Sequence, residues 1–391
     1  MRNVKIAYVL TFLKFSWFWL GIWVFYYLRY TDYAGIGIIE SIVITVGSIA
    51  EIPTGAVADL LGKRWTLFLA FLVEGLGSFV LAFAPNYTVL LISLPLLAIG
   101  SAFYSGTLES LVYDSLKDEQ REKDYGKTVA RISTIELVAF AISSILGGIM
   151  YRYSPGLPYV AVGILYVAGA AISLTLSEPK TDSEKFTWKN YLYQTKQGFG
   201  QLLAQKSLYQ SVLLIMIGSI VYVIYQSLND ILGVEFGFTP LQWSLVSTII
   251  FLVSSVASGA TAWLIGKLGK VQSLLTLTTL VALSLMISPT ILLVLGGIVS
   301  IIRFSLTTLV KNISSILINE TTESKYRATT LSTFNLLSSL PYAFLAYFLG
   351  AVMNNMSGRW FAFWIGLVLL LIAIVGFAGK KMLDRGANLD K

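Results

Sequence analysis

GAVADLLGKR (residues 55–64) and GATAWLIGKL (residues 259–268) are one loop written twice. Six of the ten positions agree: both glycines, two alanines, one leucine and one lysine. The acid of the first copy, Asp59, stands opposite Trp263 in the second. A string repeated about 200 residues apart is the mark of a duplicated unit. What surrounds the two copies decides which unit that is.

The surroundings are apolar. Of 391 residues, 56% are hydrophobic and 13% charged, and the mean hydropathy is +0.74. A soluble domain carries about 25% charged residues. A bilayer core about 30 Å thick takes roughly 20 apolar residues per helical crossing. On that ruler twelve spans follow one another: 5–30, 34–60, 65–84, 88–116, 128–151, 158–177, 207–232, 240–266, 271–288, 290–317, 328–352 and 359–379. The first follows Arg2 and Lys5, but its apolar run is too long for a signal peptide and no small-residue cleavage site follows it. Both copies of the loop fall after the second span of their half.

The basic residues set the orientation. With the N-terminus inside, 21 of the 28 Lys and Arg residues fall in inside segments and three (Arg29, Arg152, Arg359) in outside ones. The positive-inside rule then puts both termini in the cytoplasm. Spread over loops in this way, the net charge of +7 is no basic face for nucleic acid. Cys and His are both absent, which removes thiolate chemistry, the commonest metal ligand and the usual neutral-pH proton carrier. No metal cluster, nucleotide loop or nucleophile–base pairing stands out, so neither an enzyme nor a cofactor is expected.

One long polar break, residues 178–206, separates two groups of six spans. Trp188, Tyr191, Leu192, Thr195, Phe199, Leu202 and Leu203 recur there near helical period, with Lys189, Lys196 and Gln201 elsewhere on the wheel. That pattern predicts an amphipathic helix in the headgroup region. The expected organisation is a six-span bundle (1–177), a cytoplasmic linker (178–206) and a second six-span bundle with a short tail (207–391). A weaker echo between 101–119 and 302–320 supports the duplication.

Gly55-x3-Asp59-x2-Gly62-Lys63-Arg64, with this layout, resembles the signature loop of the major facilitator superfamily. EIPTGAVAD (51–59) and SGTLESLVYDSLK (105–117) look more specifically like prokaryotic drug-efflux-like members. The resemblance implies an all-α membrane protein of twelve transmembrane helices. They would form two pseudo-symmetric six-helix bundles that give alternating access by rocking, in a monomer of the cell membrane. Gly55 suits a close helix contact and Gly62 a tight turn. By resemblance Asp59, Lys63, Arg64 and Asp114 form a conformational latch, although Lys63 and Arg64 serve equally to orient the helix. Replacement of the acid by Trp263 suggests that only one copy is charged. The fifth span reads SSILGG, with Ser143 and Ser144 where proton-coupled efflux members carry Gly-Pro, which leaves transport direction open.

Charges at bilayer depth cost about 2.5–3.5 kcal/mol on insertion scales and need a reason. Lys14, Glu109, Asp230, Arg303 and Lys311 lie on spans one, four, seven and ten, which line the cavity in this superfamily. Lys14 and Arg303 fall roughly 15–20 Å from the cytoplasmic helix ends. Glu109 and Lys311 sit at matching depths and suggest an ion pair. Glu109 is the first choice for proton coupling and Glu136 the second, since a carboxylate in apolar surroundings holds its proton; sodium would use similar oxygens. Glu74, on the third span, reads as structural or as a buried acid. Tyr26, Tyr222, Tyr225, Gln226 and Asn229 add polar tips to apolar faces, which suits an amphipathic organic ligand. Lys14 and Arg303 would hold an anionic group, and Lys311 belongs to the same expected cavity. The function expected is proton-coupled export of amphipathic small molecules. The alternatives are an uptake or exchange carrier for an organic anion, and a non-transporting receptor or scaffold on the same fold.

Overall fold

The computed structural model describes residues 1–179, 188–203, 208–322 and 327–389, and every regular element among them is helical. In the N-terminal part these are α1 (Arg2–Lys14), α2 (Trp23–Tyr27), α3 (Tyr33–Leu61), α4 (Lys63–Ala82), α5 (Tyr87–Tyr104), α6 (Thr107–Asp118), α7 (Tyr125–Tyr153) and α8 (Leu157–Ser173). Then come α9 (Trp188–Leu203), α10 (Leu208–Val223), α11 (Asn229–Glu235), α12 (Pro240–Ser258), α13 (Thr261–Leu268), α14 (Lys270–Met286), α15 (Leu293–Thr321), α16 (Arg327–Met356) and α17 (Gly358–Leu389).

Ten of the expected spans coincide with helical stretches long and apolar enough to cross a membrane among the described residues. The two others differ for local reasons. The first span is broken: α1 stops at Lys14, irregular turns follow, and Gly21, at φ +79°, redirects the chain before α2. The sixth is a shorter apolar helix, α8, opened by Pro158 in its first turn. A break also divides the fourth span, where Gly106 at φ +70° separates α5 from α6.

Two compact units are present. The first comprises residues 1–188 together with 239–248; the second comprises 189–238 and 249–391. In the first, α4 packs on α5 and α8, α3 on α5, and α1 on α6, α7 and α8. Lipid-embedded helices gain little from burying apolar surface and rely on close packing. Accordingly, Gly75 on α4 leaves room for Gly163 and Tyr166 of α8, and Gly169 on α8 accepts the ring of Phe71. Leu67, Phe71, Leu111, Val162 and Tyr166 form the core. Residues 239–248 also dock here. The Ser144 hydroxyl donates to the Ser244 carbonyl at 2.9 Å, and Gly147 and Gly148 lie against Phe18 and Ser244. That is the use the fold makes of SSILGG: hydroxyls and bare backbone at a contact too close for larger side chains.

In the second unit α14 packs on α15 and α17, and α10 on α16, around Leu214, Ile217, Leu275 and Ile313. The linker helix is present as α9, and Leu202 near its end is buried in this core. Residues 180–187 and 204–207 of the linker lie outside the described residues. Residues 224–228, between α10 and α11, form a π-helical turn.

Candidate functional site

The signature loop turns where the sequence puts its glycine. Gly62 has φ +83° and ψ 158°, a conformation open almost only to glycine, and α4 starts at the next residue. The carboxylate of Glu178 caps that start, accepting from the backbone N–H of Lys63 at 2.6 Å and of Arg64 at 3.1 Å. The Lys63 Nζ pairs with Asp114 of α6, with side chains 10% and 8% exposed. The Arg64 guanidinium lies over the Trp65 ring instead. Gly55 and Asp59 belong to α3, in the stretch 52–60 whose side chains lie outside the described residues.

The second loop corrects the register taken from sequence. Gly266 is inside α13; the turn comes at Gly269, with φ +77° and ψ 159°, and α14 starts at Lys270. Gly62–Lys63 therefore corresponds to Gly269–Lys270, three residues beyond the match of the two strings. Lys270 pairs with Glu320 as Lys63 pairs with Asp114. The second copy has kept a charged pair, and the contrast of Asp59 with Trp263 came from the wrong alignment. The copies differ in burial: the Lys270 and Glu320 side chains are 36% and 49% exposed.

Between these turns and the helix breaks, the first unit holds an ion pair that sequence did not join. Lys14, the last residue of α1, donates its Nζ to Glu74 Oε1 on α4. Both residues are buried, at 4% and 2% exposure. Lys14 Nζ lies 3.4 Å from the Ser101 hydroxyl and 5.1 and 5.6 Å from the ring centres of Tyr104 and Tyr166. Gly100, next to Ser101, provides the space that the Glu74 side chain fills. The Tyr166 hydroxyl donates to the Lys14 carbonyl at 2.9 Å and accepts from Trp17 Nε1 at 3.2 Å. Trp17 in turn belongs to an aromatic cluster with Phe15, Trp19 and Phe140; the two tryptophans stack at 4.8 Å.

The other expected residues fall into different settings. Glu109 is exposed near the start of α6 and accepts from the Tyr125 hydroxyl at 2.7 Å. Glu136 is half-buried on α7. Tyr26 has no exposed surface and donates to the Leu81 carbonyl at 2.7 Å, so it is packing rather than a ligand contact in this structure. Arg303 is likewise fully buried. Its Nε donates to Ser284 Oγ at 3.2 Å, and its Nη2 donates to the Ser284 carbonyl at 2.7 Å and to Ser288 Oγ at 3.0 Å. The guanidinium thus points at α14 and the turn after it and offers an anion no accessible atom. Lys311 lies over the Tyr225 ring at 3.8 Å, and that ring stacks on Phe304 at 4.9 Å. Tyr225 and Gln226 sit on the π-helical turn, with Tyr222 just before it and Asn229, buried, just after. Such turns recur at functional positions in helices. Among the described residues no group of acids is arranged to hold a metal.

A model of the Major Facilitator Superfamily matches residues 5–341. A probable vesicular acetylcholine transporter of Danio rerio is 29% identical over 131 residues, 33% of this chain and 26% of that protein. The quinolone resistance protein NorA of Staphylococcus aureus is 24% identical over 127 residues, 32% of each. The matches thus span a third or less of these relatives' length. Among solved structures, the nucleoside transporter NupG superposes with a TM-score of 0.79 at 14% identity, over 97% of this chain and 99% of that one. A POT peptide transporter superposes with a TM-score of 0.74 at 14% identity, over 98% and 95%. At such identity the likeness is one of fold.

Proposed function

The chain belongs to the Major Facilitator Superfamily, and on that premise we propose that this multi-pass membrane protein exports amphipathic small molecules at the expense of a proton gradient. The observation that carries the substrate class is the pair of aromatic surfaces at irregular helix segments. In the first unit, Phe15, Trp17, Trp19 and Phe140 gather where the first span breaks. In the second, Tyr225, Phe304 and Phe251 gather at the π-helical turn, with Lys311 above Tyr225. Flat apolar rings with a few polar tips favour ligands that are themselves flat and amphipathic. The quinolone resistance protein NorA, similar over part of the chain, carries a name that fits this reading.

In this reading the chain crosses the cell membrane twelve times with both termini cytoplasmic. Segment α1–α2 makes the first crossing and α8 the sixth. Two six-helix bundles, 1–177 and 207–391, alternate access with residues 178–206 as the tether. The protein works as a monomer. The full burial of Arg303 supports export over uptake of an organic anion, the reading in which Arg303 and Lys14 hold the charge.

The test uses proteoliposomes of the purified chain loaded with ethidium, a flat amphipathic cation. An imposed pH gradient is expected to drive ethidium across the membrane, and a protonophore to stop it. Ethidium that moves no faster than through empty vesicles, with or without a gradient, refutes the export reading.

A further inference from the structure

We propose that Glu74 is the proton-binding group of this transporter and that Lys14 is its internal counter-cation. The inference deepens the proton-coupled reading above and rests on it.

The pair has the setting a coupling acid needs. Glu74 is 2% exposed on α4, held by a single cation, in space that Gly100 leaves free. Stability alone is a poor reason to keep such a pair, because apolar residues of similar volume usually serve a buried position as well or better. An ionisable pair at membrane depth is more often part of a proton or ion path. Glu109, by contrast, is exposed and already accepts a bond from Tyr125.

The pair is also wired to the ligand-facing cluster. Lys14 ends α1, where the first span breaks, and its ammonium faces Glu74, Ser101 and the rings of Tyr104 and Tyr166. Discontinuous helices of transporters place their coupling groups at such ends. From the Lys14 carbonyl a hydrogen-bond chain runs through the Tyr166 hydroxyl to Trp17 and its ring stack. Ser101, an exposed residue whose hydroxyl is 3.4 Å from Lys14 Nζ, marks where a proton enters. The other titratable groups facing the pair are Tyr104 from α5 and Tyr166 from α8, with Glu136 of α7 beyond Tyr104.

The step balances simply. A proton from outside the pair adds to the Glu74 carboxylate and makes a neutral acid. Lys14 keeps its three protons and loses its counter-charge, so its ammonium turns toward the Ser101 hydroxyl and the faces of Tyr104 and Tyr166. That movement changes the contact of the ammonium with the Tyr166 ring, whose hydroxyl holds Trp17. Loss of the proton restores the pair. Acidic pH therefore opens the pair and neutral pH closes it.

Two measurements on the full chain test this. Infrared difference spectra in nanodiscs, without substrate, are expected to show a protonated-carboxyl band growing as pH falls. Against the background of the other carboxyl groups, one component of that band should be missing in Glu74→Gln and shifted in frequency in Glu74→Asp. In ethidium-loaded proteoliposomes, Glu74→Gln should abolish pH-gradient-driven movement while ethidium exchange across the membrane persists. Should Glu74→Gln fail to fold, Lys14→Met combined with Glu74→Met keeps the volume and leaves no buried charge; it is expected to fold and to be insensitive to the gradient.

A carboxyl band unchanged in Glu74→Gln, or one whose pH-dependent component is lost in Glu109→Gln instead, overturns the proposal, as does gradient-driven movement in the double variant. The outcomes separate from those of the export reading. A Glu74-dependent band without ethidium transport by the wild type sinks only the substrate class. Gradient-driven ethidium movement untouched by Glu74→Gln sinks only the assignment of the acid.

Discussion

Replacing Lys63 and Lys270 by methionine, one at a time, asks whether two equivalent clasps carry equal weight. Each lysine opens a helix after a glycine turn and pairs with a carboxylate about 50 residues on. Lys63→Met leaves Asp114, whose side chain is 8% exposed, without this cation. Breaking a buried pair by removing one partner costs about 3–5 kcal/mol. Lys270→Met leaves Glu320, whose side chain is 49% exposed, largely to water. For exposed pairs the cost is at most about 1 kcal/mol. The difference is therefore about 2 kcal/mol or more, which is roughly 30-fold in the folded-to-unfolded ratio.

The assay is denaturant unfolding of each purified variant in one detergent at neutral pH, followed by circular dichroism. Adding Asp114→Asn to Lys63→Met should recover a large part of the loss, since no net charge then stays buried. Raising ionic strength should erase the small Lys270→Met effect and leave the Lys63→Met effect standing, because buried pairs are screened much less. Equal losses for the two single variants, or a Lys63→Met loss that salt abolishes, would refute the argument from burial.

Three further outcomes follow from the same geometry. Gly269→Ala meets no neighbour within 4 Å but must hold φ +77°, and is expected to cost about 1–3 kcal/mol; Gly62→Ala bears the same strain at φ +83° and also presses a methyl to 2.9–3.0 Å from the Glu178 carboxylate, so unfolding should show it worse by about 1 kcal/mol for the lost cap. Gly100→Ala drives a methyl against the Glu74 side chain and, at 2.8 Å, the Ala70 carbonyl, so α4 and α5 must part; it is expected to displace the acid from Lys14, lower stability and move the midpoint of the Glu74 infrared component, and an unmoved midpoint counts against the tight fit. Arg303→Met removes a fully buried cation that bonds only neutral oxygens, so unfolding is expected to show stability unchanged or raised by up to about 3 kcal/mol; a loss beyond about 2 kcal/mol would mean that its hydrogen bonds outweigh its desolvation.

What the sequence made legible was local in character. Gly62 as a turn could be read because a glycine before a helix start is a short-range signal, whereas Lys63 and Asp114, 51 residues apart, were brought together by the family resemblance. Depth along a helix was readable too, which is why Lys14 and Arg303 were picked out as deep charges. Direction around the helix was not. Arg303 turns toward Ser284 and Ser288, and Tyr26 toward the Leu81 carbonyl, because neighbours distant in sequence decide which face is inner. The partner of Lys14 stands 60 residues away on a different helix, and no periodicity links the two.

The second loop failed for a different reason. GKLGK offers two Gly-Lys pairs three residues apart, close to one helical turn, so both present the same pattern to a string comparison. Only backbone conformation separates them, and it selects Gly269 at φ +77° over Gly266 inside α13. Once that register is corrected, the two halves agree in a way identity had hidden. Each begins a helix with glycine then lysine, and each ties that lysine to a later carboxylate. What diverged between the copies is burial of the clasp, and burial is what gives a charge pair its energetic weight.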